Sequence, residues 1–212
     1  MPSRRYKVWV EISKQAVARN IKTIRSVLRP KTKLWAVVKS NAYGHGLVLF
    51  SKLADQLGVD GFCVDSLVEG LKLRQNDITK PVLVLGPTTA ENGLQDAYTH
   101  DVAITVSSHD ALKRLLSASR APKFHIKVDT GMHRQGFYLD DLPQIIKKLK
   151  TQNSKLKNRC EGIYTHFASA KDMNYPTFTD LQFHAFKKAV KLFSAAGFFR
   201  LTRHAAATGG AL

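Results

Sequence analysis

The chain has 212 residues, 44% of them hydrophobic and 23% charged, which is typical of a folded globular domain and excludes a low-complexity chain. No apolar run has the length of a transmembrane helix, and the N-terminal residues lack the apolar core of a signal peptide. We therefore expect a cytoplasmic protein without a membrane partner.

The charge is strongly positive, with 33 Lys and Arg against 16 Asp and Glu and a formal net charge of +17. This raises the alternative of a nucleic-acid-binding protein. The basic residues are spread along the chain and several lie on polar faces of predicted helices, so we interpret them as a solvated surface and expect no nucleic-acid partner. Two cysteines are too few for a disulfide framework, and no histidines have metalloprotease spacing, so we expect no metal.

Strands and helices are predicted to alternate. Residues 8–12 predict a short strand, and Ser13 is a candidate helix cap. The helix that it starts has an apolar stripe at Val17, Ile21, Ile24 and Leu28. Seven further strands are predicted at 34–38, 61–65, 81–85, 102–106, 124–129, 162–166 and 201–205. Helical patterns between them predict a parallel sheet.

Two of these helices carry further signals. Ser107 and Asp110 predict a capping box, before a helix with Leu112, Leu115 and Leu116. The last long helix is expected to end at Gly197. Its predicted apolar stripe is Phe183, Phe186, Val190 and Phe193.

The fold that we expect is α/β. Because no Gly-x-Gly-x-x-Gly turn follows a strand, a TIM-like (β/α)8 barrel is favoured over a dinucleotide-binding fold. Such a barrel needs eight strands, and seven are predicted. We therefore expect residues 13–212 to form an incomplete barrel domain, truncated before its eighth strand, with residues 1–12 as a separate strand segment.

Lys39 lies where the predicted strand 34–38 ends, at the start of a glycine-containing turn. Barrel enzymes carry their chemistry at the carboxyl ends of strands. A partly desolvated lysine there favours its neutral amine, which can form a Schiff base with a carbonyl group.

The segment Ala36–Gly46, AVVKSNAYGHG, resembles the pyridoxal-phosphate lysine motif of alanine racemases. The resemblance implies that Lys39 binds pyridoxal 5'-phosphate and serves as one of two bases. It also implies that the hydroxyl of Tyr43 lies near the cofactor phosphate.

A second segment, His125–Gly136, places His125, Lys127 and Asp129 on one face of a strand, which predicts an inner polar network. It is also similar to a racemase motif. The resemblance implies that Arg134 helps to hold the substrate carboxylate and that Lys127, sometimes carbamylated in the family, orients Arg134. The alternative is a structural ion-pair network.

Two more segments match the family. In Gly162–Ala168 the resemblance implies that His166 lies beside the cofactor ring, the alternative being a structural histidine. In Arg203–Gly210 it implies that His204 supports a tyrosine on the opposite face and that Thr208 replaces a serine at the phosphate. Ala207 stands where the family has asparagine and cannot supply an amide.

As a whole the resemblance implies an alanine racemase that interconverts L- and D-alanine through a pyridoxal-phosphate Schiff base and two-base proton transfer. Its D-alanine would supply peptidoglycan. The resemblance also implies that the second base is a tyrosine from the C-terminal β domain of a partner subunit. We expect that domain to be absent here and residues 1–12 to pair with it, so that this chain is inactive alone and the full-length form is a homodimer.

The alternative within the same cofactor class is a non-catalytic, single-barrel pyridoxal-phosphate-binding protein. Such a protein also has a lysine after its first barrel strand. The string Tyr43–Gly46 and the extra predicted strand at 8–12 favour the racemase.

Overall fold

In a computed structural model that describes residues 7–90, 92–151, 154–172, 174 and 176–211, seven strands form one sheet. They are β1 (Trp35–Val37), β2 (Gly61–Val64), β3 (Val82–Val84), β4 (Ala103–Val106), β5 (Phe124–Lys127), β6 (Cys160–Tyr164) and β7 (Thr202–His204). Neighbours in the chain are neighbours in the sheet, and every pair is parallel. All seven strands predicted after the N-terminal segment are confirmed.

Helices connect the strands. They are α1 (Lys14–Val27), α2 (Lys39–Tyr43), α3 (Leu47–Gln56), α4 (Leu67–Arg74), α5 (Gly93–Thr99), α6 (His109–Ser117), α7 (Leu142–Thr151), α8 (Ser154–Lys157), α9 (Pro176–Ala195) and α10 (Thr208–Ala211), with a 3-10 turn at Leu139–Asp141. No helix in the described ranges has the length and apolarity that crossing a membrane requires.

The core has two layers because alternate strand residues face opposite sides of the sheet. On the outer side, strand residues such as Phe62 and Ile126 are fully buried beneath the helices. On the inner side a smaller apolar cluster is formed by Cys63, Leu83 and Ala103. Although β1 and β7 are the edges of the sheet, α1 contacts α10, so the sheet curls towards closure as a half-barrel.

Two local predictions need correction. The cap of α6 is Ser108, whose Oγ accepts a hydrogen bond from the backbone N of Ala111, and Ser107 lies one residue too early. Phe183 is 45% exposed, with the Lys187 ammonium 4.8 Å from its ring centroid. It therefore lies outside the buried stripe of α9.

The N-terminal segment has no strand partner among the described residues. Residues 1–6 lie outside the described ranges, and residues 8–12 belong to no strand. Val8, Trp9 and Val10 are exposed to 85%, 55% and 69%. The strand predicted at 8–12 is thus not formed within this chain, and its pairing with a C-terminal β domain stays a prediction.

Candidate active site

Charged and polar side chains gather at the carboxyl edge of the sheet. Lys39 follows β1, Arg134 lies in the loop after β5, His166 follows β6 and Thr208 follows β7. Burial lowers the pKa of His166, and the fields of Arg134, Lys127 and Lys39 lower it further. The three cations therefore create a positive potential at His166, so the carboxyl edge of the sheet favours the binding of anions.

Lys39 is the first residue of α2, which is not a right-handed helix but a short left-handed turn. Residues 40–43 all have φ between 53° and 56°, a conformation that costs each non-glycine residue roughly 1–2 kcal/mol. Asn41 holds the turn, because its Oδ1 accepts from the backbone N of Leu47 at 2.8 Å and its own N donates to Glu69 Oε1 at 3.2 Å. Backbone strain held in this way is typical of functional sites. The sequence predicted a turn here but not its hand.

The amine of Lys39 lies near a carboxylate and remains accessible to solvent. Its Nζ lies 3.5 Å from Asp65 Oδ1, and the lysine side chain is 34% exposed. Tyr43, at the end of the same turn, is 61% exposed. Its contact with a phosphate stays a prediction.

Asp129 organises the loop that carries Arg134. Its carboxylate accepts hydrogen bonds from the backbone N of Gly131, His133 and Arg134 at 2.9 to 3.0 Å. Burial by itself raises the pKa of this carboxyl, but the three donors outweigh it and hold the pKa below its ordinary value. The charged carboxylate thus stabilises a loop whose Arg134 is exposed at the sheet edge.

Lys127 is 4% exposed, and its Nζ lies 5.6 Å from the centroid of the Tyr164 ring. Burial lowers its pKa to about 8, and Arg134 is the next cause. Arg134 thus acts on Lys127 as a neighbouring like charge. The predicted orienting of Arg134 by Lys127 therefore requires the neutral or carbamylated lysine, since two cations repel.

Replacing Lys127 by methionine is expected to stabilise the chain at pH 7 by on the order of 1 kcal/mol, because it removes a desolvated cation. The ordinary pKa of 10.5 falls to about 8 on folding. Between these values the unfolded chain binds more protons, so wild-type stability rises with pH. The stability gained by the methionine variant over the wild type should be largest below pH 8 and decrease as the pH rises towards 10.5. Urea unfolding across this range measures it, with Lys72→Met, at an exposed site, as the control.

The predicted inner polar network is confirmed for His125, and Lys127 adjoins this network through its contact with the Tyr164 ring. His125 Nδ1 lies 2.8 Å from His204 Nε2, and the ring of His204 stacks on Tyr164 with centroids 4.5 Å apart at 8°. The Tyr164 hydroxyl in turn lies 2.9 Å from Thr105 Oγ1. His204 is thus fixed from two sides.

Gln182 was not predicted, yet it supports the site. Its side chain is fully buried. Its Nε2 donates to the carbonyl of His166 at 3.3 Å, and its Oε1 accepts from the backbone N of Ala168 at 2.9 Å. A signal was available, because Gln182 precedes Phe186 and Ala189 at helical spacing on the buried face of α9, where an uncharged polar residue is unusual.

Thr208 is the first residue of α10, in agreement with the predicted helix start. Both Thr208 and Ala207 are exposed, and Ala207 contributes only its carbonyl, which accepts from the backbone N of Gly210 at 3.0 Å. The role of Thr208 at a phosphate stays a prediction. The described residues include no cluster of three or more histidine, cysteine, aspartate or glutamate side chains suited to a metal.

The family model described as alanine racemase, N-terminal domain, matches residues 12–212. The alanine racemase of Leptospira interrogans serovar copenhageni is 36% identical over 211 residues, covering 98% of this chain and 52% of that protein. The alanine racemase of Methanococcus maripaludis is 41% identical over 185 residues, covering 84% and 48%. The chain therefore spans about half the length of these curated relatives.

Solved structures give the same result. Alanine racemase from Bacillus anthracis with bound L-Ala-P superposes with a TM-score of 0.82 at 32% identity, over 96% of this chain and 53% of that one. Alanine racemase from Clostridium difficile 630 gives 0.86 at 28% identity, over 99% and 55%.

Proposed function

The chain belongs to the alanine racemase N-terminal domain family, and on this basis we propose that it is the cofactor-binding half of a pyridoxal-phosphate-dependent alanine racemase. The observation that carries the proposal is the Lys39 amine. It lies at the carboxyl edge of a parallel half-barrel, on a strained turn and among other cations.

The residues at the edge fit pyridoxal phosphate, which offers an aldehyde and a phosphate. Lys39 supplies an accessible primary amine for the aldehyde carbon. The positive field at the edge suits a phosphate, which the exposed hydroxyls of Tyr43 and Thr208 would help to hold, with His166 beside the ring. When bound, the cofactor withdraws the electron pair that remains on the α-carbon after the α-proton leaves.

The remaining chemistry falls to side chains of this chain. Arg134, exposed on its rigid loop, would bind the substrate carboxylate and so fix which face of the α-carbon meets Lys39. Lys39 Nζ would then take up or return the α-proton on that face. In this step the neutral amine of Lys39 is the form that takes up the α-proton, and the ammonium form is the one that returns it.

Proton transfer on the opposite face requires a second base. The family resemblance assigns it to a tyrosine in the C-terminal β domain of a partner subunit. We therefore propose that the active full-length form is a homodimer acting on alanine, and that this half alone does not racemise. Supply of D-alanine for peptidoglycan and a cytoplasmic location belong to the same proposal.

The test is cofactor capture by the purified chain. Pyridoxal phosphate should produce a new visible absorbance band, and borohydride reduction should then fix one pyridoxyl group per chain, mapped to Lys39 by peptide mass spectrometry. A folded protein that gives no adduct, or one mapped elsewhere, contradicts the proposal. L-alanine turnover assayed in parallel should be absent, and turnover by this chain would contradict its proposed dependence on a partner domain.

A further inference from the structure

The contact between His125 and His204 depends on a glycine in the strand between them. His125 on β5 pairs in register with Gly162 on β6, and His204 on β7 lies beyond it, opposite Tyr164. A Cβ atom on Gly162 would overlap the His125 ring at Nδ1. The missing side chain therefore leaves the space through which His125 reaches across one strand to His204.

A single proton is shared in this contact. Burial lowers the pKa of His125 to about 4 and that of His204 to about 3, with His125 as the second cause for His204. Both rings are therefore neutral near pH 7, and each carries one N–H. Of the two facing nitrogens, one must donate and the other accept, so the tautomer of one ring fixes that of the other.

The surroundings of His125 decide whether His125 or His204 donates the hydrogen bond in this contact. Its ring is 2% exposed and faces the indole of Trp35, with centroids 6.3 Å apart. Its Nε2 makes no hydrogen bond among the described residues. An N–H that points away from the contact would lose more hydration at His125, which is 2% exposed, than at the half-buried His204. The proton of His125 therefore belongs on Nδ1, in the contact.

We propose that His125 is a positioning residue that donates from Nδ1 to Nε2 of His204 and so fixes His204 as its Nδ1–H tautomer. His204 then presents a hydrogen-bond donor at the carboxyl edge of β7, where the residue is half-buried. The importance of that donor for racemisation rests on the proposed function and on the family resemblance, which implies that His204 supports the tyrosine that serves as the second base.

Long-range ¹H–¹⁵N spectra of the chain labelled with ¹⁵N-histidine test the tautomer directly. The signals of His204 are assigned by their loss in His204→Gln, since the chain has eight histidines. We expect the Nδ1–H pattern in the wild type and its complete loss in His125→Leu. Tyr164→Phe removes a hydroxyl from the same network but keeps the stacked ring, and it should leave the pattern unchanged.

A wild-type His204 in the Nε2–H form overturns the proposal, and so does a folded His125→Leu chain that keeps the Nδ1–H pattern. If His125→Leu does not fold, Gly162→Ala provides the second test, because its methyl displaces the His125 ring without changing either histidine, and retention of the pattern there overturns the proposal as well. Borohydride trapping at Lys39, run on the same samples, reports separately on the proposed function, since cofactor capture can fail while the tautomer is as expected.

Discussion

Replacing Lys39 by arginine is expected to abolish covalent capture of pyridoxal phosphate completely while leaving the fold intact. A guanidinium stays protonated at any accessible pH and cannot attack the aldehyde. It can still pair with Asp65, from which Lys39 Nζ now lies 3.5 Å away. Because this pair is partly exposed, the free energy of unfolding should change by less than about 1 kcal/mol. Mass spectrometry after borohydride reduction measures the loss.

The matched control is Lys52→Arg on α3, which alters another partly exposed lysine, 3.9 Å from Asp77. This variant should keep a full adduct. A stoichiometric adduct on a folded Lys39→Arg chain would show that a different lysine binds the cofactor. Lys127 would then be examined first, because it lies near the same edge and burial lowers its pKa to about 8.

The sheet could be predicted because each strand is a short apolar run between helical patterns. β3 shows this clearly, since Val82, Leu83 and Val84 are buried on both faces, as in other parallel sheets. Details that depend on neighbouring residues could not be predicted. Ser107 and Ser108 are both good caps, and the structure uses Ser108, whose backbone is extended with φ −148° and ψ 161°. Sequence spacing alone does not contain that information.

The candidate active site likewise contains some features that could be predicted from the sequence and others that could not. The placement of Lys39 and His166 at this edge could be predicted because strand ends in a barrel meet there, while their roles stay predictions from the family resemblance. The left-handed turn could not be predicted, because Ser40 and Ala42 favour right-handed backbone and the turn is held by Glu69, 28 residues from Asn41. The pair His125–His204, separated by 79 residues, likewise exists only once β6 has paired on both sides.

Replacing Gly136 by alanine is expected to cost about 3 kcal/mol of stability. Gly136 has a φ of 132°, and a Cβ there would lie 2.6 Å from the backbone N of Asp129 and 2.9 Å from the carbonyl carbon of Val128. Backbone cannot move aside as a flexible side chain can. The neighbouring Phe137 donates to the carbonyl of Lys127 and accepts from the N of Asp129, both at 2.9 Å, so the methyl group would separate these hydrogen-bonded segments.

The control for this variant is Gly58→Ala. Gly58 also has a positive φ, 85°, but a Cβ there meets nothing within 4 Å, so it should cost only the roughly 1 kcal/mol of a left-handed alanine. Urea unfolding of both variants isolates the backbone overlap as a difference of about 2 kcal/mol. Equal costs would show that the packing of Gly136 against Asp129 does not hold the loop. A larger cost for Gly136→Ala would show that the loop carrying Arg134 is stabilised by a close backbone approach that only glycine allows.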